Sequence, residues 1–258
     1  KVGELSCGYG AGPGAVQSFA EGMGIALTEQ EASKIVKDWR GANNAITGFW
    51  EMLDRALHSS ISSGEGSEVL VGPDGHDYKF RFIVEPEVDS LTELHPGAQK
   101  LSICFMSRET VLFTRVFRGC YERGRNICYY KPTGLKTGAL WSGSYMDPKT
   151  KRQGFYDIYG GKLAGILTQS FCRELFFSAL RIAQVQFGVL SSGVKLVGQF
   201  HDEIVLDADL DELATRGKTF EIVAGVLESI MSDPYIHGYR IPDFPLSAEV
   251  NYAWRYIK

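Results

Sequence analysis

The chain is predicted to be an α+β protein, because helical and strand-like patterns occur in separate blocks along it. Roughly the first 60 residues carry apolar side chains at helical spacing. The middle of the chain alternates Val-, Ile- and Phe-rich runs with turn residues, which predicts antiparallel strands. A long helical period follows and leads to a short apolar hairpin near residue 200.

Length and composition place the chain among ordinary globular proteins. Its 258 residues can bury one large core or two smaller ones, and 44% hydrophobic with 22% charged residues is typical of that class. The net charge of −4 does not indicate nucleic-acid binding, although DNA binding needs only a local basic surface. The sequence shows no run of about 18 apolar residues and no signal peptide, so no membrane partner is expected. Five cysteines without C-x-x-C spacing predict reduced thiols and no structural zinc.

The N-terminal segment is predicted to begin with two helices. Lys1, Leu5 and Tyr9 recur every four residues and would share one face of the first helix. The Gly- and Pro-rich segment 10–14 breaks this helix. A second helix is expected from residue 15 to about residue 21.

Two further helices are predicted before the first strand. Thr28 followed by Glu31 is a capping-box pattern, which starts a helix that ends near residue 41. Another helix is expected from residue 43 or 44, and the Ser- and Gly-rich stretch 59–67 is expected to end it. Aromatic packing between these two helices is predicted from Trp39, Phe49 and Trp50.

The remaining elements follow from shorter patterns. A hairpin is expected over residues 68–84, and strand-like runs cover 101–105, 111–117 and 127–130. A long helix begins at Lys162 and ends around residues 188–193. Asp209 or Asp211 is expected to start a helix that runs to about residue 231, and a closing strand is expected over 247–250.

The stretch 196–207 carries the strongest chemical signal. Two short apolar runs flank His201, Asp202 and Glu203, which predicts a hairpin with the polar residues at its turn. A hairpin projects a carboxylate from a rigid sheet end, and carboxylate oxygens are the ligands that divalent cations prefer. A polar turn between two core strands is the alternative interpretation.

Three stretches together resemble family A DNA polymerases of the phage type. Lys1-x3-Leu5-x3-Tyr9-Gly10 resembles motif B, the segment from Tyr159 to Gln169 resembles the helix before motif C, and Gln199-x-His201-Asp202-Glu203 resembles motif C. They occur in the family order and span nearly the whole chain. The resemblance implies a right-hand polymerase fold, with a helical fingers subdomain over 1–66, a β-rich insertion over 67–153 and part of an antiparallel-sheet palm over 154–258.

The resemblance also implies an activity and roles for single residues. The activity would be DNA-templated transfer of nucleotides from dNTP to the primer 3′-OH. Lys1 would contact the nucleotide's phosphates and protonate the pyrophosphate leaving group, Leu5 would lie against the sugar, and Tyr9 would lie near the templating base. Asp202 would bind metal, with Glu203 as a secondary carboxylate.

Contacts with primer–template DNA are implied for a further group of residues. Gln169 would reach the minor groove, where hydrogen-bond acceptors are shared by all correct base pairs. Lys162 would contact a phosphate, and His201 would lie near the primer end. Gln199 would also contact the DNA, as would Arg125 in the β-rich insertion. The chain departs from the family where Gly165 and Ile166 replace a polar pair, which removes one expected minor-groove or primer-side hydrogen bond.

The metal site implied by the resemblance is shared with another segment. Two Mg²⁺ ions would lie about 4 Å apart, held in part by a second aspartate in motif A, which precedes motif B in the family. We therefore expect a C-terminal subunit of a split polymerase that needs an N-terminal part with the thumb and motif A, in the cytoplasm of a host if viral. A truncated single-chain polymerase and a non-catalytic DNA-binding or scaffolding remnant are the alternatives. A metal hydrolase that uses only His201, Asp202 and Glu203 is disfavoured, because the sequence offers no further metal ligands at suitable spacing.

Overall fold

The structure is a computed structural model that describes residues 2–64, 66–71, 78–86, 98–122, 140–146, 153–188, 193–241 and 244–252. The chain divides into two compact units, Lys1–Gln169 and Ser170–Lys258. The described residues form α-helices and antiparallel strands, which confirms the predicted α+β class. No helix in these ranges is both long and apolar enough to cross a membrane. The three-part division at residues 66 and 153 stays a prediction.

Four helices open the first unit, and local sequence explains most of their ends. Gly10, at a φ of 79°, turns the chain after the first helix, and Pro13 starts the second, where its missing N–H is not needed. The predicted capping box is confirmed, because the Glu31 nitrogen donates to Thr28 Oγ1 and the Thr28 nitrogen donates to Glu31 Oε2. The helices are α1 (Val2–Cys7), α2 (Pro13–Gly22), α3 (Glu29–Ala42) and α4 (Asn44–Ser63).

Two predictions for these helices were wrong. Tyr9 lies in a turn beyond the end of α1, so the helix predicted to include it ends earlier. Helix α4 continues through the Ser-rich stretch that was expected to break it and ends at Gly64, which has a φ of 69°. Leu57 and Ser60 are fully buried one turn apart, and this packing outweighs the weak helix preference of serine.

A six-stranded antiparallel sheet follows, in which each strand pairs with the next one along the chain. An aromatic row connects it to the helices: Phe49 of α4 lies 6.1 Å from Phe80, and Phe80 lies 4.9 Å from Phe105 between ring centroids. The predicted aromatic packing between α3 and α4 is confirmed for Trp39 and Trp50, whose rings stack at 5.9 Å, but not for Phe49. The strands are β1 (Ser67–Val71), β2 (Tyr78–Pro86), β3 (Ala98–Ser107), β4 (Thr110–Glu122), β5 (Leu140–Met146) and β6 (Gln153–Ile158).

The sheet contains more strands than the sequence patterns predicted. The hairpin over 68–84 and the strands at 101–105 and 111–117 are confirmed within β1 to β4. Strand β6 occupies a stretch for which no strand was predicted, and it pairs with β5. The strand predicted over 127–130 lies outside the described residues.

Helix α5 (Gly160–Gly188) is the predicted long helix, and its residues are divided between the two units. In the second unit it is followed by β7 (Val194–Phe200), β8 (Glu203–Ala208), α6 (Leu210–Thr215), α7 (Phe220–Ser232), β9 (Tyr235–Ile236) and β10 (Tyr239–Arg240). The core of this unit is formed by Ala183, Phe187, Val194, Leu213, Val223 and Leu227.

Two predictions in the second unit need correction. The single helix expected from residue 209 to about 231 is two helices, separated by a turn at Gly217, which has a φ of 64°. The segment 247–250 is not a strand, although the side chain of Val250 packs against the core. Its apolar character therefore reflects burial without strand pairing.

Candidate functional site

Strands β7 and β8 form the predicted hairpin, joined by a turn of only two residues, His201 and Asp202. Phe200 and Glu203 are the last pair of the ladder before the turn. The side chains of His201, Asp202 and Glu203 are all exposed. The hairpin tip therefore presents two consecutive carboxylates to solvent.

The turn holds His201 in a strained conformation. Its φ is 54°, in the left-handed region. Two-residue hairpin turns place a positive φ at the first central residue, where glycine or asparagine is usual. A residue with a Cβ loses about 1 kcal/mol in this conformation. Arg108 and His237 have similar positive φ values at the first position of two other two-residue turns, so this conformation follows from the type of turn.

The base of the hairpin is anchored in the core of the second unit. Ile204, Leu206 and Ala208 alternate along β8 and pack against the buried cluster. The Asp209 nitrogen donates to the Gly193 carbonyl at 2.7 Å, and the Asp209 side chain caps α6. These contacts fix the base of the β7–β8 hairpin, which carries the tip.

The outer part of β7 is irregular and apolar. Its register with β8 shifts between Leu196 and Gly198, so Val197 forms a β-bulge. Val197 is 58% exposed and Phe200 is 51% exposed. Gln199, between Gly198 and Phe200, is also exposed and pairs with Ile204. Beside the two carboxylates, the hairpin thus offers an amide and a solvent-facing aromatic ring.

The donor set at the tip fits part of a magnesium site. Asp202 and Glu203 supply hard oxygen ligands in an open arrangement, which suits Mg²⁺ when it also binds water and phosphate oxygens. No group of three or more His, Cys, Asp or Glu side chains arranged to hold a metal ion occurs among the described residues.

A second set of predicted site residues lies in the first unit, on the N-terminal turns of α5. Gly161, Gly165 and Gln169 follow one another at intervals of four residues, so they share one face of this helix. Lys162 is half-buried beside them, and Gln169 is exposed. Gln169 lies about 6 Å along the helix axis from Gly165, one turn further on.

The chain after α1 runs directly over this helical face. A Cβ placed on Gly161 would come within 3.0 Å of the Gly10 Cα, and one placed on Gly165 would come within 2.6 Å of the Tyr9 Cδ1. Both glycines are therefore needed for this approach. Tyr9 itself remains 51% exposed, so its ring is available to a ligand. The structure thus brings Tyr9 and Gln169 to the same face of α5.

Several hydrogen bonds fix the backbone around Tyr9. The Gly10 nitrogen donates to the Cys7 carbonyl at 2.9 Å, and Arg40 donates to the Ala11 carbonyl at 3.3 Å. The Tyr159 hydroxyl donates to the Tyr9 carbonyl at 3.5 Å, a weak contact. Burial raises the pKa of Tyr159 above its ordinary value, with the charge of Arg40 opposing this, so the phenol keeps its proton at neutral pH.

The first turn of α5 is fixed by a residue that the sequence patterns did not indicate. Asp54 of α4 accepts a hydrogen bond from the Gly160 nitrogen at 2.5 Å. A Cβ on Gly160 would collide with the carbonyl group of Trp50, so only glycine fits there. The sequence patterns also did not indicate the steric role of Gly165. The comparison with the family marked this position only as one where a polar residue is replaced. The spacing Gly161-x3-Gly165 within a helix was the available signal for it.

The remaining predicted residues are placed as follows. Leu5 lies in α1, while Lys1 and Arg125 lie outside the described residues. The hairpin tip collects His201, Asp202, Glu203 and Gln199, and the α5 face collects Tyr9, Lys162 and Gln169. Their roles in nucleotide, DNA and metal binding stay predictions.

Comparison with known proteins supports a relationship to DNA polymerases. A DNA polymerase of Bacillus phage SP02 is 26% identical to this chain over 239 residues, which are 91% of this chain and 29% of the phage protein. The chain therefore spans less than a third of that relative's length. No protein-family profile matches the chain, and no solved structure matches it. At this level of similarity, the chain is a distant relative of a phage DNA polymerase.

Proposed function

We propose that this chain forms part of a family A DNA polymerase, which transfers nucleotides from dNTP to a primer 3′-OH under the direction of a DNA template. The hairpin tip carries the proposal, because it holds Asp202 and Glu203 exposed beside a strained His201 on a rigid base. The similarity to a phage DNA polymerase over nearly the whole chain supports it.

In this proposal, Asp202 is a ligand of two Mg²⁺ ions, with Glu203 beside it. Such ions, when bound, neutralise charge on the attacking and leaving oxygens of nucleotidyl transfer. The second aspartate comes from polypeptide outside residues 1–258, either on the same chain or on a separate N-terminal polymerase part that also carries the thumb.

The chain's own residues bind and orient the substrates. Tyr9 and Gln169 lie on one face of α5, where an aromatic ring can stack on a base and an amide can test the minor groove of the new pair. Lys162 on the same helix binds a backbone phosphate, and Arg125 contributes another. Gln199 and His201 contact the primer end. Lys1 and Leu5 bind the phosphates and the sugar of the incoming nucleotide.

Primer extension with Mg²⁺ tests the proposal. The chain is assayed alone and then as the assembled polymerase, meaning together with the polypeptide that supplies the second aspartate. We expect extension by the assembled polymerase, and we expect Asp202→Asn to reduce its rate on the order of 10²–10³-fold, the usual effect of removing one electrostatic contact to the transition state. Asp207→Asn is the matched control, since Asp207 is an exposed carboxylate further along β8.

Three outcomes would contradict parts of this proposal. Extension by the assembled polymerase that is insensitive to Asp202→Asn would remove Asp202 from the metal site. Extension by the chain alone would mean that its own residues supply the second carboxylate. DNA binding without any synthesis would favour a non-catalytic remnant.

A further inference from the structure

The ring of Tyr9 reaches its position only because residue 165 has no side chain. An added Cβ at Gly165 would lie 2.6 Å from Cδ1 and 3.0 Å from Cε1 of that ring. Ordinary contact between carbon atoms begins at about 3.5 Å, so any larger residue would displace the ring by roughly 1 Å. The contact joins two residues far apart in sequence, and Gly165 lies in the N-terminal part of the regular helix α5.

We propose that Gly165 is a positioning residue that sets the place of the Tyr9 ring, and thereby the stacking surface offered to a nucleobase. This inference rests on the proposed function, since it assumes that a nucleic-acid base is the ligand of Tyr9. It assigns Gly165 a steric role in place of the hydrogen bond that a polar residue would make there. The Gly10–Gly161 approach one turn earlier supports this assignment, because it holds the backbone of Tyr9 against the same helical face.

The exposure of Tyr9 makes it possible to distinguish a positioning role of Gly165 from a purely structural role. Because the ring is 51% exposed, it can move outward without opening a cavity. Alanine is also the better helix former, by about 1 kcal/mol relative to glycine. Gly165→Ala should therefore leave the thermal stability of the chain nearly unchanged while it moves the ring. A displacement of about 1 Å at a substrate-positioning residue lowers the rate by as much as about 10²-fold.

The test compares four variants in the assembled polymerase: Gly165→Ala, Tyr9→Ala, the double variant, and Gly48→Ala as the control. Gly48 is also a helical glycine in the first unit, but an added Cβ there meets no atom within 4 Å. We expect Gly165→Ala to lower kcat/KM for correct insertion between about 10- and 10²-fold, with no change for Gly48→Ala. In the Tyr9→Ala background, Gly165→Ala should have no further effect, because the two residues act through one contact.

A second readout does not depend on activity. A fluorotyrosine introduced at position 9 reports the surroundings of the ring by ¹⁹F NMR. Its signal should shift in Gly165→Ala and stay in place in Gly48→Ala. If Gly165→Ala fails to fold, the double variant with Tyr9→Ala should fold again, since the clash is removed.

The outcomes separate the two proposals. Equal kcat/KM for Gly165→Ala and wild type, or an additive effect in the double variant, would overturn the positioning role while leaving the polymerase proposal intact. An unchanged ¹⁹F signal would overturn it as well. A shifted signal in an assembly whose wild type extends no primer would contradict the polymerase proposal and, with it, the nucleobase as the ligand.

Discussion

The carboxylate of Asp54 on α4 accepts a hydrogen bond from the backbone nitrogen of Gly160, across a separation of 106 residues. This contact fixes the first turn of the helix that carries Gly165 and Gln169. A carboxylate at this end also interacts favourably with the helix dipole.

Asp54→Ala should therefore destabilise the chain by about 1 kcal/mol, the usual contribution of a capping side chain. Urea denaturation measures this difference. Asp38→Ala is the control, because Asp38 forms only an exposed ion pair with Lys34 within one helix and should change stability by less than about 0.5 kcal/mol. Equal losses for the two variants would show that Asp54 does not act as a cap.

The left-handed conformation of His201 predicts a separation between stability and activity. Glycine at this position relieves about 1 kcal/mol of strain but adds a similar amount of entropy to the unfolded chain. His201→Gly should thus change the free energy of unfolding by less than about 1 kcal/mol, while it slows primer extension by the assembled polymerase.

Arg108→Gly provides the matched comparison for this prediction. Arg108 has a φ of 52° in the turn between β3 and β4, so its replacement tests the same backbone effect away from the hairpin tip. Denaturation should give similar changes for both variants, and extension should slow only for His201→Gly. Wild-type extension rates in His201→Gly would mean that the imidazole has no role.

The half-buried His58 on α4 predicts a loss of stability in mild acid. Burial lowers its pKa below the ordinary value of 6.5, because the protonated form is poorly solvated there. The unfolded chain therefore binds the proton more readily than the folded chain does. The stability that this group provides is complete above pH 6.5 and is lost as the pH falls through the lower native pKa.

Denaturation at about pH 7.5 and about pH 5.5 checks this expectation, since histidine titrates between them. The free energy of unfolding should fall more for the wild type than for His58→Gln, which has no titratable group at the position. Ser59→Ala, one residue further along the chain, should keep the pH dependence of the wild type. The same pH dependence in His58→Gln would assign it to other groups.

Local sequence patterns predicted the elements whose structure depends on near neighbours. The Thr28–Glu31 capping box and the hairpin turn at His201 and Asp202 are of this kind, because the partners lie within three residues of each other. Contacts between distant segments could not be predicted in this way. The pairing of Asp54 with Gly160 and the seating of Tyr9 on Gly165 depend on how α4, α5 and the end of α1 pack.

The serine-rich end of α4 shows the opposite failure, in which composition was misleading. Ser60 is fully buried, and Ser63 donates a hydrogen bond from its hydroxyl to the Ser59 carbonyl one turn earlier. Serines that bond back to their own helix satisfy the hydroxyl without leaving the helical conformation. A run of small polar residues was therefore compatible with one more turn of helix.

The order of strands in the six-stranded sheet has a consequence for how the chain folds. Every strand pairs with its immediate predecessor, so no pairing in this sheet joins strands that are distant in sequence order. Sheets with such low contact order fold faster than those that join distant segments. We therefore expect β1 to β6 to form in sequence order, one hairpin after another.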